Sequence, residues 1–308
     1  MKFHLFLFPF LICFSSCTNS GKLLSSKAFH ILSQGLSQNE RWEKVHAAEF
    51  LLDLGHEEHV RTTFLSEYDQ YGHVPQYRIG IWRVLYKCSE GSEKKKYGDS
   101  IYQAFVRPDS PDRLHAVETL AKLNMAKRDA DTAIIASALT STDLQMCLYT
   151  RWWVLPQQEN GIDRLKNLLF GIIRSGQNDE PVRRLAAYII REDRSIVLTL
   201  EEWMQMKDIA VAEPISSTAR AQLLATLFSK ASCEVTMLPG FGEVKKALLR
   251  YKESEVAHMY QLCLAFAEKG TSGDVRMLAS LLDNESDDVK NAAAYAILRI
   301  VARNKEKY

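Results

Sequence analysis

The chain lacks an excess of either charge: 39 basic side chains face 38 acidic ones. A protein that binds nucleic acid by neutralising many phosphates carries a basic surplus, so that class is excluded. Glycine and proline are scarce, at 14 and 8 among 308 residues, which excludes collagen-like and low-complexity chains. No two of the six cysteines form a CxxC pair, and Cys88, Cys147, Cys233 and Cys263 are scattered; small buried hydrophobes are expected of them, with a disulfide left open. Strand-like alternation is nearly absent. GxSxG and GxxxxGK[ST] are also missing, and Pro239-Gly240-Phe241-Gly242 has Lys245 where a dinucleotide loop needs its third glycine.

What is present begins with an address. Lys2 gives a short positive region, Leu5 to Phe14 is an unbroken apolar run, and Ser15, Ser16 and Cys17 follow. That run is too short to span a bilayer and reads as a signal peptide. Phe14-Ser15-Ser16-Cys17 resembles the lipobox of bacterial lipoproteins, with Phe14 where Leu is usual. The resemblance implies cleavage before Cys17, lipid (palmitate and diacylglycerol) on that residue, and anchoring by more than one acyl chain. An ordinary secretory signal is the alternative. With Thr18 and Asn19 following Cys17 and no acidic run, lipoprotein sorting rules imply the outer membrane, facing the periplasm.

The remainder repeats. Small or apolar anchors at 47, 80, 116, 148, 186, 223, 262 and 293 recur with a period near 35, each inside a segment such as Val182-Arg183-Arg184-Leu185-Ala186-Ala187-Tyr188 or Val289-Lys290-Asn291-Ala292-Ala293-Ala294-Tyr295. Every period holds two helical patterns split by a turn signal, as in 39–54, Gly55, then 56–68. Ser37 before Glu40, Ser110 before Pro111, and Thr199 before Glu202 are expected helix starts. These segments resemble the HEAT family, especially its phycobilisome-lyase-like variant. The expected fold is therefore all-α: an α/α superhelical solenoid of about eight helix-hairpin repeats over 37–308, after a signal peptide (1–16) and a lipid-anchored spacer and cap (17–36). The resemblance implies that second helices line a concave surface. Two connections, 191–198 and 229–239, are long for helical hairpins.

Searches for chemistry return little. His56-Glu57-Glu58-His59 places two imidazoles three apart, whereas a zincin helix needs them four apart, and the His-Glu pairs of the HEAT-type deoxyhypusine hydroxylases are not repeated. No metal, no cofactor and no catalytic residue is expected. HEAT-like DNA glycosylases need a basic groove, which a neutral chain does not supply. The reading is a membrane-anchored scaffold, not an enzyme, that binds a protein or peptide of the cell envelope and no nucleic acid. Arg61, Tyr68, Gln103, Arg107, Arg164 and Arg174 are the candidate partner-binding residues. The alternative is a glycan- or lipid-handling module using Trp153, Trp203 and the tyrosines at 68, 71 and 77.

Overall fold

A computed structural model describes residues 15–175 and 178–305, with side chains described from residue 22. The proposed cleaved segment therefore lies almost wholly outside the described residues, as does the Cys17 side chain; the backbone there already belongs to the first helix. Seventeen α-helices follow one another among the described residues. They are α1 (Ser15–Gln38), α2 (Arg41–Asp53), α3 (Glu57–Tyr71), α4 (Tyr77–Lys87), α5 (Gly91–Val106), α6 (Arg113–Lys122), α7 (Thr132–Leu139), α8 (Leu144–Val154) and α9 (Gly161–Arg174). Then come α10 (Glu180–Glu192), α11 (Leu200–Ala212), α12 (Thr218–Ser229), α13 (Cys233–Thr236), α14 (Pro239–Leu249), α15 (Val256–Lys269), α16 (Val275–Ala279) and α17 (Asp287–Lys305). The all-α expectation holds, and helix pairs pack in succession as a solenoid requires.

Each of the eight anchors falls in one helix of a single series: α2, α4, α6, α8, α10, α12, α15 and α17. All eight anchors are buried. Consecutive members of this series touch, and the last touches the first: α17 packs on α2, while α1 lies against both. The path thus returns on itself as a ring. The remaining helices sit outside, with α3 against α2 and α4, and α5 against α4 and α6. This departs from the expected arrangement, because the first helix of each pair lines the interior and the second lies outside. The reason is steric. An inner circle is shorter than an outer one, and Ala47, Gly80, Ala116, Ala186 and Ala293 let their helices approach closely. A Cβ on Gly80 would stand 2.8 Å from Val45 Cγ2 of α2.

The seam is held by specific contacts. Phe50 stacks on Tyr295 with ring centroids 4.4 Å apart. Asp53 accepts from the Tyr295 hydroxyl at 2.6 Å and from Arg299 at 2.8 Å, and His46 Nδ1 lies 2.8 Å from Asp288. Of the expected helix starts, Thr199 forms a full capping box with Glu202. Ser37 does not cap: it lies within α1 and its hydroxyl donates back to the carbonyls of Ser33 and Gln34, leaving Glu40 as the N-cap of α2. Ser110 acts one step earlier, donating to Asp112, which is the N-cap of α6. The long connection after Ser229 contains α13.

Candidate functional site

Along the ring axis the inner helices present polar side chains at helical spacing. His46, Glu49 and Asp53 lie on α2, Arg83 and Lys87 on α4, and His115, Glu118 and Lys122 on α6. Tyr149 comes from α8, Tyr188 and Arg191 from α10, Tyr260 and Gln261 from α15, and Asp288 from α17. Arg83 grips Glu49 with two bonds, of 3.0 and 2.9 Å, and reaches the Thr119 hydroxyl at 3.3 Å. Lys87 adds a 2.6 Å bond to Glu49. Glu118 pairs with Lys122 at 3.0 Å and accepts from the Tyr188 hydroxyl at 2.6 Å.

That last bond joins α6 to α10, passing over α8. Arg191 donates to Gln261, joining α10 to α15 over α12, and the rings of His46 and Tyr260 stand 5.7 Å apart, joining α2 to α15 over α17. Contacts that skip a neighbour run on the inner side of the ring, so side chains reach into its interior.

Burial would raise the Glu118 carboxyl, but Lys122, Arg83 and the Tyr188 hydroxyl outweigh it and hold it down at about 2. Burial opposes ionisation of Glu49 too, and Arg83, Lys87 and Lys122 together keep it well below the usual carboxylate range. Desolvation, then the charges of Glu118 and Glu192, push the Tyr188 phenol far up; Tyr260 is raised by burial and Asp288. Both carboxylates are thus locked as anions and the phenols as neutral donors. This charge pattern ties helices together, with Glu49 and Glu118 both held as anions near neutral pH.

A cavity of about 240 Å³ opens where the N-termini of α8, α10, α12 and α15 converge. Its wall includes Gln145, Tyr149, Arg184, Tyr188, Gln222 and His258, and no carboxylate. Gln222 and His258 are each 2% exposed, and Gln222 Nε2 and His258 Nε2 have no hydrogen-bond partner. The other His258 nitrogen faces the Ser254 hydroxyl at 3.0 Å.

The six residues singled out from the sequence do not meet at this site. Arg61 and Tyr68 lie on α3, Gln103 on α5, Arg107 at its C-cap, and Arg164 and Arg174 on α9, all on outer helices. Arg61 is paired with Glu93 at 2.6 Å, and Tyr68 lies edge-on to Tyr97 beneath the Lys96 ammonium. Gln103, Arg107, Arg164 and Arg174 are exposed. Trp153 and Trp203 are buried, donating to the carbonyls of Met125 and Leu227, so neither offers a stacking face for a glycan. Tyr77 is buried against Glu67, and Tyr71 is partly exposed.

His56 and His59 border an open hollow on the outer surface. Among the described residues no group of three or more His, Cys, Asp or Glu is placed to hold a metal ion. Cys88, Cys147, Cys233 and Cys263 are free thiols. No helix among the described residues is long and apolar enough to cross a membrane.

The axial residues escaped sequence reading although a signal existed. A charged or hydroxyl-bearing residue follows the anchor by two positions at Glu49, Glu118, Tyr188 and Tyr295. A polar group repeated beside a buried small residue is costly unless paired, so its recurrence marks a shared polar interior. Comparison with protein-family models gives no match, and a search of curated proteins gives none either.

Proposed function

We propose that this chain is a binding protein of the cell envelope without turnover of its own. In this reading it is anchored by lipid on Cys17, faces the periplasm from the outer membrane, and is built of eight HEAT-like units that hold a protein or peptide partner. The repeat assignment rests on the anchors, one per inner helix, and the address rests on Lys2, the apolar run and Ser15-Ser16-Cys17.

The observation that carries the binding reading is a set of exposed large apolar side chains on α11 and the two long connections. Val197 is 70% exposed and Met237 85%, and Leu200 and Met204 are exposed one turn apart on α11. Lys230 brings the connections together, its ammonium donating to the carbonyls of Asp193 at 2.6 Å and Ile196 at 3.2 Å. Large apolar side chains grouped on a charged surface mark association sites. Arg164 and Arg174 stand on α9, the outer helix beside α11. Lys166 of α9 reaches this surface, donating to the Val197 carbonyl and pairing with Glu202 at 3.0 Å, whereas Arg164 bonds Gln158. Arg61, Tyr68, Gln103 and Arg107 stand on other outer helices and do not contribute to this surface.

Affinity capture from envelope extract tests this. Val197→Asp combined with Met237→Asp should abolish recovery of the wild-type partner with melting temperature unchanged. A double variant that captures the same partner removes this face from the proposal. Metabolic labelling with a palmitate analogue should mark the wild type and not Cys17→Ser, and an unlabelled wild type would remove the anchor.

A further inference from the structure

We propose that the cavity at the N-terminal mouth of the ring binds an organic carboxylate next to an apolar substituent, the chemistry of a free peptide C-terminus ending in an aliphatic residue. The inference deepens the partner-binding reading and rests on it, since it assigns a second contact to a peptide partner.

Four polar side chains of the lining, Arg184, Gln222, His258 and Tyr149, can all donate, because with the Ser254 hydroxyl donating to His258 Nδ1 the His258 Nε2 carries the proton. Arg184 lines it and pairs with no carboxylate. The Gln222 amide nitrogen and His258 Nε2 are buried and unpartnered, two of eight such atoms among the described residues and the two that belong to this wall, and a buried polar group left unbonded is costly. Tyr149 adds a phenol one turn from Gln145. An acceptor-rich anion would satisfy all of them, and a planar carboxylate matches the two-pronged guanidinium.

Two carboxylates near the wall are engaged elsewhere. Glu180 accepts from the backbone amide of Thr218 at 2.6 Å and of Ala219 at 3.2 Å, at the start of α12. Asp143 caps α8 through Gln145 N at 2.9 Å. Asp179 and Glu255, the N-caps of α10 and α15, make no side-chain cap bond, and neither lines the cavity. Arg184 is the one charged side chain in the lining, and one guanidinium beside neutral polar groups suits a singly charged ligand.

The wall also carries apolar side chains. Pro181, Leu185 and Ala257 belong to the lining itself. Burial of these three against an aliphatic group gives the ligand a reason to be more than a free anion. The volume falls below the ~300–1,000 Å³ of drug-sized sites, which fits the last residue of a chain entering from solvent.

Titration of the purified full chain with N-acetyl-leucine, N-acetyl-leucine amide and inorganic phosphate tests the proposal. The free acid should bind at least about tenfold more tightly than the amide, and Arg184→Gln should remove most of that preference with melting temperature unchanged. Gln222→Leu should weaken the acid while sparing the amide. Equal binding of acid and amide, tighter binding of phosphate than of the acid, or no binding at all overturns the assignment. The Val197→Asp, Met237→Asp variant should titrate as wild type. Wild-type protein that captures its partner and binds no carboxylate defeats the cavity alone, whereas wild-type protein that binds the carboxylate and captures no partner defeats the α11 face.

Discussion

Glu49 and Glu118 carry charge in the middle of a helical ring because each has cations placed against it before any solvent can reach it. Their carboxyls are held below the ordinary range, by Arg83, Lys87 and Lys122 for one and by Lys122 and Arg83 for the other, in each case against the opposing effect of burial. A depressed folded-state value means the stabilisation is fully present above the unfolded carboxylate range, near pH 4.5, and is lost as pH falls towards about 2. Thermal melting followed from pH 6 down to 2.5 should therefore show a steep loss below about pH 4.5, worth on the order of 2 kcal/mol for Glu118. Glu118→Gln should be less stable than wild type at neutral pH and flatter across this acid window. Equal slopes for the two proteins would mean that Glu118 carries no such charge. None of this was legible from single residues: Glu49 and Glu118 look like ordinary surface positions on an amphipathic helix until the helix is known to face an axis.

At the scale of the element, legibility followed the strength of the local chemistry. Thr199 with Glu202 is a reciprocal cap that needs nothing beyond four residues, and it forms as expected. Ser37 with Glu40 has the same spelling, yet α1 continues through it because the Ser37 hydroxyl is satisfied by the preceding turn of α1. The anchors were readable because close approach of two helices demands a small residue wherever it occurs. Gly80 gives the sharpest case, since any side chain there runs into Val45 and Trp42 of α2. Gly80→Val should cost about 1–3 kcal/mol in chemical denaturation through overpacking. The same substitution at Gly171, on the exposed side of α9 with open space around it, should not show that loss. If the two behave alike, the α2 to α4 contact is looser than described. Trp153 illustrates the limit of local reading, because adjacent tryptophans can be told apart only by neighbours: Trp153 packs edge-on against Tyr102 and Phe105, and Trp152 against Tyr188.

For the whole molecule, the period announced the helix pairs and said nothing of their curvature. Curvature depends on the small rotation between neighbours, which the seam reveals and no segment encodes alone. Tyr295 and Asp53 meet across 242 positions of sequence. Removing either partner should uncouple the first helices from the last: a double-mutant cycle of Tyr295→Phe and Asp53→Ala should show a coupling of roughly 1–2 kcal/mol, as expected for a hydrogen bond to a charged group. A coupling near zero would leave Phe50 stacked on Tyr295 and the α1 contacts to hold the seam. Closure also bears on how such a protein can change over generations. An open solenoid can gain or lose a unit and keep its remaining interfaces, since each contacts only its neighbours. Here α17 meets α2, and the α17 face is shaped for that companion. Duplication or deletion of a single helix pair leaves the first and last faces misaligned and their apolar and charged surfaces without partners. Gain or loss of a helix pair should therefore open the ring, whereas outer helices and connections such as those flanking α11 and containing α13 can change in length without disturbing the contact of α17 with α2.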